Sequence, residues 1–242
     1  MEAVRNRLGI WLRGLTRPQR FRKRYDLINY FIRTRDDRTY LEIGTGGGRC
    51  FERIRCASKT GVDPAPRRVL QGWNILRMTS DDFFQANTAR FDVIFIDGLH
   101  ISDQVLRDIF NGLAALAEGG VLFVHDCNPA TEQMQIKDPR LARDGQWSGD
   151  VWKAITYVRR FLPDLFCRVF AFDKGVGVIV PDDSADRPAY TVERERQALE
   201  FFEGLSWGDL QQNRNVFLGL IETLGDFEAE LRHHESVQAR VR

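Results

Sequence analysis

Tyr40-Leu41-Glu42-Ile43-Gly44-Thr45-Gly46-Gly47-Gly48-Arg49 reads as a short apolar strand, a tight glycine turn and the start of a helix. Downstream, Gly61-Val62-Asp63-Pro64 closes a second strand that Pro64 stops, and residues 75–78 form a third. Phe91-Asp92-Val93-Ile94-Phe95-Ile96-Asp97 is apolar on both faces, as a central parallel strand between two helix layers must be. Ser102 is expected to N-cap a helix carrying Val105, Leu106, Ile109, Leu113 and Leu116 on one face, with Gly119-Gly120 ending it before a buried strand from Val121 to Asp126. Strand and helix alternate, which predicts a parallel sheet with right-handed crossovers.

Beyond this core, residues 150–162 read as a helix, and residues 166–172 and 176–180 as strands of an antiparallel hairpin around Asp173-Lys174-Gly175. From Thr191 onward the chain reads as helical, with apolar faces at Leu199, Phe201, Phe202 and Leu205 and at Val216, Phe217, Leu220, Ile221 and Leu224. The expected fold is α/β: a doubly wound, mostly parallel seven-stranded sheet with an antiparallel final hairpin and helical additions at both ends. Three segments follow: a basic helical arm at 1–35, a ligand-binding domain at 36–182, and a helical extension at 183–242 that packs on the domain or on a second copy, making a homodimer the expected assembly.

Composition excludes more than it assigns. The chain has 242 residues, 43% hydrophobic and 29% charged, with a formal net charge of +1, so no nucleic-acid partner is expected. Residues 1–35 nevertheless hold ten Arg or Lys against Glu2 and Asp26. With Leu8, Ile10, Trp11, Leu12 and Leu15 they form either an arm for an anionic surface or a solvated helix packed through its apolar stripe. No apolar run reaches the roughly 18 residues of a membrane span and no cleavable leader is visible, so the expected location is the cytoplasm. Cys50, Cys56, Cys127 and Cys167 show neither CxxC nor zinc spacing.

In an open α/β sheet ligands sit beyond the carboxyl ends of the strands, so the informative residues lie there. Glycines at 44, 46, 47 and 48 let the backbone approach a ligand, and the following helix aims its dipole at it. The dinucleotide pattern GxGxxG would need glycine at position 49, where Arg49 stands, and no GK[ST] follows. Asp97 and Asp126 end neighbouring strands and would project into one cleft, a pair suited to Mg²⁺. His100, three residues after Asp97, is placed to take a proton. Strand alternation would turn His125 away from Asp126.

Glu42-Ile43-Gly44-Thr45-Gly46-Gly47-Gly48 resembles motif I of class I S-adenosylmethionine (SAM) dependent methyltransferases, ExGxGxG. Phe95-Ile96-Asp97-Gly98-Leu99-His100 and Gly119-Gly120 through His125-Asp126 are similar to a bacterial branch with IDGxH and HD motifs, O-methyltransferases of sugars and natural products, several of them metal-dependent. Trp147-Ser148-Gly149-Asp150-Val151-Trp152-Lys153 also resembles that branch. The resemblance implies a Rossmann-like domain with SAM held by Glu42, Gly44, Thr45, Gly46, Gly48, Asp63, Ser80, Asp81, Phe83 and Asp97. It further implies catalysis by His100 and Asp97, a metal on Asp97 and Asp126 with His125 or Asn128 as a third ligand, and a small-molecule or glycan acceptor. The chain departs from the family's catechol type, which has Asn directly after the second metal acid, where Cys127 stands here.

Three residues stay ambiguous in sequence. Asp150 and Lys153 either face a polar acceptor or start a helix, and Trp152 either meets a sugar or fills the core. The competing functional readings are a non-catalytic SAM-fold interaction protein and a metal-independent methyltransferase of another small molecule.

Overall fold

The computed structural model describes residues 21–142, 146–183 and 185–241. Residues 1–20, including the apolar positions of the expected arm from Leu8 to Leu15, lie outside the described residues. Helix α1 (Arg24–Arg35) leads into strand β1 (Thr39–Ile43), followed by α2 (Arg49–Arg53), β2 (Ser58–Val62), β3 (Ile75–Leu76), α3 (Ser80–Ala86), β4 (Phe91–Ile96), α4 (Ser102–Ala115) and β5 (Leu116–Val124). Then come α5 (Val151–Phe161), β6 (Phe166–Phe170), β7 (Val176–Val180), α6 (Val192–Glu203), α7 (Trp207–Leu218), β8 (Leu220–Ile221) and α8 (Leu224–Val241). Among the described residues no helix is long and apolar enough to cross a membrane.

One sheet runs in the order β3-β2-β1-β4-β5-β7-β6-β8. Strands β1 to β5 are parallel, β7 lies antiparallel between β5 and β6, and the strand order reverses between β1 and β4. This is the expected doubly wound architecture, with eight strands among the described residues rather than seven. The extra one, Leu220–Ile221, pairs parallel to β6 from within the expected all-helical extension. Two residues between helices carry no readable period, and only the neighbouring edge of β6 makes them a strand.

Period-two alternation divides the core into two layers. Leu41, Ile43, Ile94, Ile96, Leu122 and Val124 face α4 and α5, while Tyr40, Val93, Phe95, Val121 and Phe123 face α1 and α8. Each fully buried side chain of this size contributes about 1.5–3 kcal/mol, so the two layers hold the sheet without help from its edges. Leu210, Leu218, Leu224, Phe227 and Leu231 of the C-terminal extension are buried in these same layers, within the chain. Leu116, expected on the helix, instead opens β5, because α4 ends at Ala115 and Phe91 pairs with Leu116.

Register places the site. The last residues of four strands are aligned, Ile43 with Val62 and with Ile96, and Ile96 with Val124. Gly44, Asp63, Asp97 and His125 therefore form one row along the carboxyl edge. Backbone bonds extend the ladder one step past the strands: Gly44 N–H donates to Val62 O (2.8 Å), Asp97 N–H to Ile43 O (2.8 Å) and His125 N–H to Ile96 O (3.0 Å).

Candidate active site

At the glycine turn, Gly44, Gly46 and Gly48 all take positive φ (86°, 48° and 71°), a region that side-chain-bearing residues avoid. Asp63 braces the turn: its Oδ2 accepts from Gly46 N–H (2.7 Å) and its Oδ1 from Ala65 N–H (2.8 Å). Glu42 lies fully buried beneath, accepting from Tyr40 Oη–H (2.6 Å). Burial pushes its carboxyl up to about 8, against the opposing pull of that hydrogen bond. Glu42 Oε1 and Thr45 Oγ1 are buried without a hydrogen-bond partner. Orphaned polar atoms below a ring of φ-positive glycines fit a polar cofactor head group.

Beside the turn, Asp97, His100 and Asp126 bring one donor atom each within 4.8 Å of one another. His100 Nε2 is 3.4 Å from Asp97 Oδ1, and its Nδ1 is 3.1 Å from Asp126 Oδ2 but out of hydrogen-bond alignment. The ring stacks on Trp147 with centroids 5.0 Å apart. Burial works against the charged ring, but Asp97 and Asp126 outweigh it and raise the His100 pKa. Two carboxylates and an imidazole fit a divalent cation.

His125 and Asp126 do not point to opposite sides. Asp126 takes φ 59°, which ends the strand alternation, and His125 Nδ1 lies 3.0 Å from Asp97 Oδ1 and 3.4 Å from Asp126 Oδ1. Its Nε2 lies 2.8 Å from the Asp173 carbonyl oxygen. Burial disfavours the imidazolium, yet Asp97 and Asp126 push its pKa up to about 10. The two His125 ring nitrogens are thus directed at Asp97 and at the Asp173 carbonyl. Burial also opposes ionised Asp97, but His125, His100 and Arg24 hold its carboxyl well below the usual carboxylate range. Asn128, the other expected third ligand, is engaged elsewhere: its Oδ1 accepts from Arg214 Nη1 at 2.5 Å. His100 is the residue that the fold groups with the two carboxylates.

The other expected contact residues have partners within the chain. Thr79, not Asp81 or Asp82, caps α3 (Thr79 Oγ1 accepts from Asp82 N–H, 3.1 Å). Ser80 and Asp81 accept from Gln104 Nε2, and Asp81 pairs with Arg107 at 3.2 Å. The Phe83 ring is buried against Phe84 and Phe91. Trp152 fills the core, stacked on Phe217. Lys153 Nζ donates to Phe202 O at 2.6 Å. A cleft of about 920 Å³ opens near the amino ends of β1 and β2, lined by Tyr25, Asn29, Arg33 and Arg55 among others, and holds none of these groups.

Four contributors act through partners far away in sequence. Ser102 is the first residue of α4 rather than its cap. Its N–H donates to Asp150 Oδ1 (2.8 Å) and its Oγ–H to Asp150 Oδ2 (2.9 Å), so a residue 48 positions away satisfies that helix end. Gly149, φ 56°, lets this segment pass against the His100 backbone, since a Cβ there would stand 1.6 Å from His100 O. Lys174, φ 64°, brings Nζ to 3.8 Å from Asp126 Oδ1. Arg24 reaches Asp97 from α1 (3.4 Å). Asp150→Ala, which strands buried Ser102 donors, is expected to cost about 1–2 kcal/mol, read as a lower urea midpoint at unchanged slope; an unchanged midpoint would refute the cap.

Comparisons with known proteins bear on this geometry. Residues 41–127 match a family model described as a methyltransferase domain. No curated protein matches the chain. Among solved structures, the SAH-bound methyltransferase PaMTH1 of Podospora anserina is similar at 15% identity and TM-score 0.51, covering 76% of this chain and 89% of that one. The cofactor-bound protein Rv0187 from MTB is similar at 14% identity and TM-score 0.51, covering 74% and 88%. The chain therefore has the Rossmann-like methyltransferase fold, and the part of it that carries the glycine turn, Asp63, Asp97, His100 and Asp126 is the part similar to a methyltransferase domain.

Proposed function

We propose that this protein is a SAM-dependent O-methyltransferase that moves a methyl group to a hydroxyl of a sugar, polysaccharide or glycosylated natural product, with Mg²⁺ held by Asp97 and Asp126. The observation that carries the reading is the single row at the strand ends: a φ-positive glycine turn with orphaned buried acceptors on one side, a carboxylate–imidazole–carboxylate cluster on the other. When bound, SAM supplies a methyl group already activated on its sulfonium, and a divalent cation adds charge that lowers the pKa of an acceptor hydroxyl.

The chain's own residues do the rest. Gly44, Gly46 and Gly48 bring backbone close to the cofactor, and Asp63, each oxygen with a lone pair to spare, accepts ribose hydroxyls. His100, its basicity raised by Asp97 and Asp126, takes the acceptor proton at Nδ1 from its neutral form, held in orientation by the Trp147 stack. The exposed part of half-buried Trp147 offers a sugar ring an apolar surface. Alignment is the main demand on the protein in such a transfer.

The test is an assay with SAM against a panel of sugars and glycosides, with and without a chelator, alongside calorimetric SAM binding. Asp63→Ala is expected to weaken SAM binding by roughly 10- to 100-fold. Absence of SAM binding by the wild type, or binding without transfer to any hydroxyl, would overturn the reading; the second result favours a non-catalytic SAM-fold protein.

A proton count gives a second check. Burial, which lifts the Glu42 carboxyl to about 8, favours its protonated form at pH 7, whereas a cofactor ammonium beside it would favour the carboxylate. SAH binding is therefore expected to release up to about one proton at pH 7 and to tighten as pH rises toward about 8. Calorimetry in buffers of different ionisation enthalpy measures this directly. Proton uptake, or none, would remove Glu42 from the cofactor site.

A further inference from the structure

Arg24 opens α1, outside the segment similar to a methyltransferase domain, and its guanidinium is set between Asp173 and Asp97. Nη1 donates to Asp173 Oδ2 (3.2 Å), and Arg24 N–H donates to the same oxygen (3.0 Å). Nη1 also lies 3.4 Å from His125 Nε2, and Nη2 stands 3.4 Å from Asp97 Oδ2 without a hydrogen bond. Nε is buried and has no partner. The Nε–Nη2 edge, which forms parallel bonds to a carboxylate in bidentate pairs, is thus held in place with Nε unsatisfied and Nη2 beside Asp97. On β1, the strand paired with the one that Asp97 follows, Glu42 Oε1 is a buried acceptor that is equally without a partner. One orphaned donor, Arg24 Nε–H, and one orphaned acceptor, Glu42 Oε1, on either hand of Asp97, match the two ends of an α-amino acid zwitterion.

Resting on the SAM reading above, we propose that Arg24 binds the α-carboxylate of the cofactor's methionine moiety through Nε–H and Nη2–H, while Glu42 and Asp97 face its ammonium. The start of α1 then belongs to the cofactor site, and the turn between β6 and β7 that carries Asp173 serves to aim the arginine. Asp173, with φ 51°, receives Lys23 as well at 2.8 Å, so two consecutive basic residues lock the helix start to that turn.

The test compares two ligands in the full-length chain: S-adenosylhomocysteine, and its decarboxylated form, which keeps the amine and loses the carboxylate. The wild type is expected to prefer the former by about 10- to 100-fold. Arg24→Gln and Arg24→Lys are expected to reduce that preference to within about 3-fold, because the loss falls mainly on the ligand that carries the carboxylate. Arg24→Lys keeps a cation against Asp173 and carries the comparison if Arg24→Gln does not fold. In the wild type itself, the Arg24 Nε–H proton resonance should move downfield on adding S-adenosylhomocysteine and stay in place with the decarboxylated ligand. Equal losses for both ligands, or an unmoved Nε–H, overturn the assignment and reduce Arg24 to a brace for Asp97. Wild-type protein that binds neither ligand overturns the SAM reading and this assignment with it.

Discussion

Asp126→Asn is expected to lower turnover by roughly 10³-fold while leaving SAH affinity within about 3-fold of the wild type. The substitution separates chemistry from folding. Asp126 sits at φ 59°, and Asn tolerates that region nearly as well as Asp, so the backbone that ends β5 has no reason to move. What disappears is the charge between His100 Nδ1 at 3.1 Å and Lys174 Nζ at 3.8 Å. The glycine turn and Asp63 lie on the other side of β4 and keep the cofactor. Single-turnover rates with the true acceptor, together with calorimetric SAH binding, decide the matter: full activity would remove Asp126 from the site, and parallel loss of binding and turnover would make its role structural.

Gly44→Ala should do the opposite, damaging fold and cofactor site together. A Cβ at position 44 would lie 2.3 Å from both Asp97 O and Gly98 Cα, and both are backbone atoms that cannot rotate away. The left-handed φ of 86° adds about 1–2 kcal/mol of its own. Relief requires β1 and β4 to part where the strand order reverses, so a total cost of about 3 kcal/mol or more is expected, with SAH binding lost. Gly47→Ala is the control. Only Arg67 Nη2, the end of a flexible side chain, comes as close as 3.9 Å there, and the cost should stay within about 0.5 kcal/mol. Urea midpoints for the pair measure the contrast; equal midpoints would show that the close passage of Gly44 against Asp97 is not a feature of the folded protein.

The contrast between these two glycines shows where local sequence information ends. The run Gly44 to Gly48 announces a turn, but which members are irreplaceable depends on the neighbouring strand, 53 positions later, that Gly44 touches. The site divides in the same way. Asp97, His100 and Asp126 were legible because each follows a continuous apolar strand or lies one turn beyond it, and parallel strands end together on one edge. His125 was misplaced because alternation holds only while the backbone stays extended, and Asp126 leaves it. Ser80 and Asp81 are engaged by Gln104 and Arg107 on α4, and the Phe83 ring packs against Phe91, contacts that the local sequence does not announce.

The sequence by itself determined the doubly wound sheet, its two apolar layers and the row of strand-end residues, since periodicity and glycine punctuation act over a few residues and those features are built at that range. The tertiary structure alone decided the eighth strand, the cap of α4 by Asp150, the approach of Lys174 to Asp126 and the setting of Arg24 against Asp97. Each of these joins groups with no common local pattern, satisfied by whichever charge or sheet edge the packed layers bring within reach.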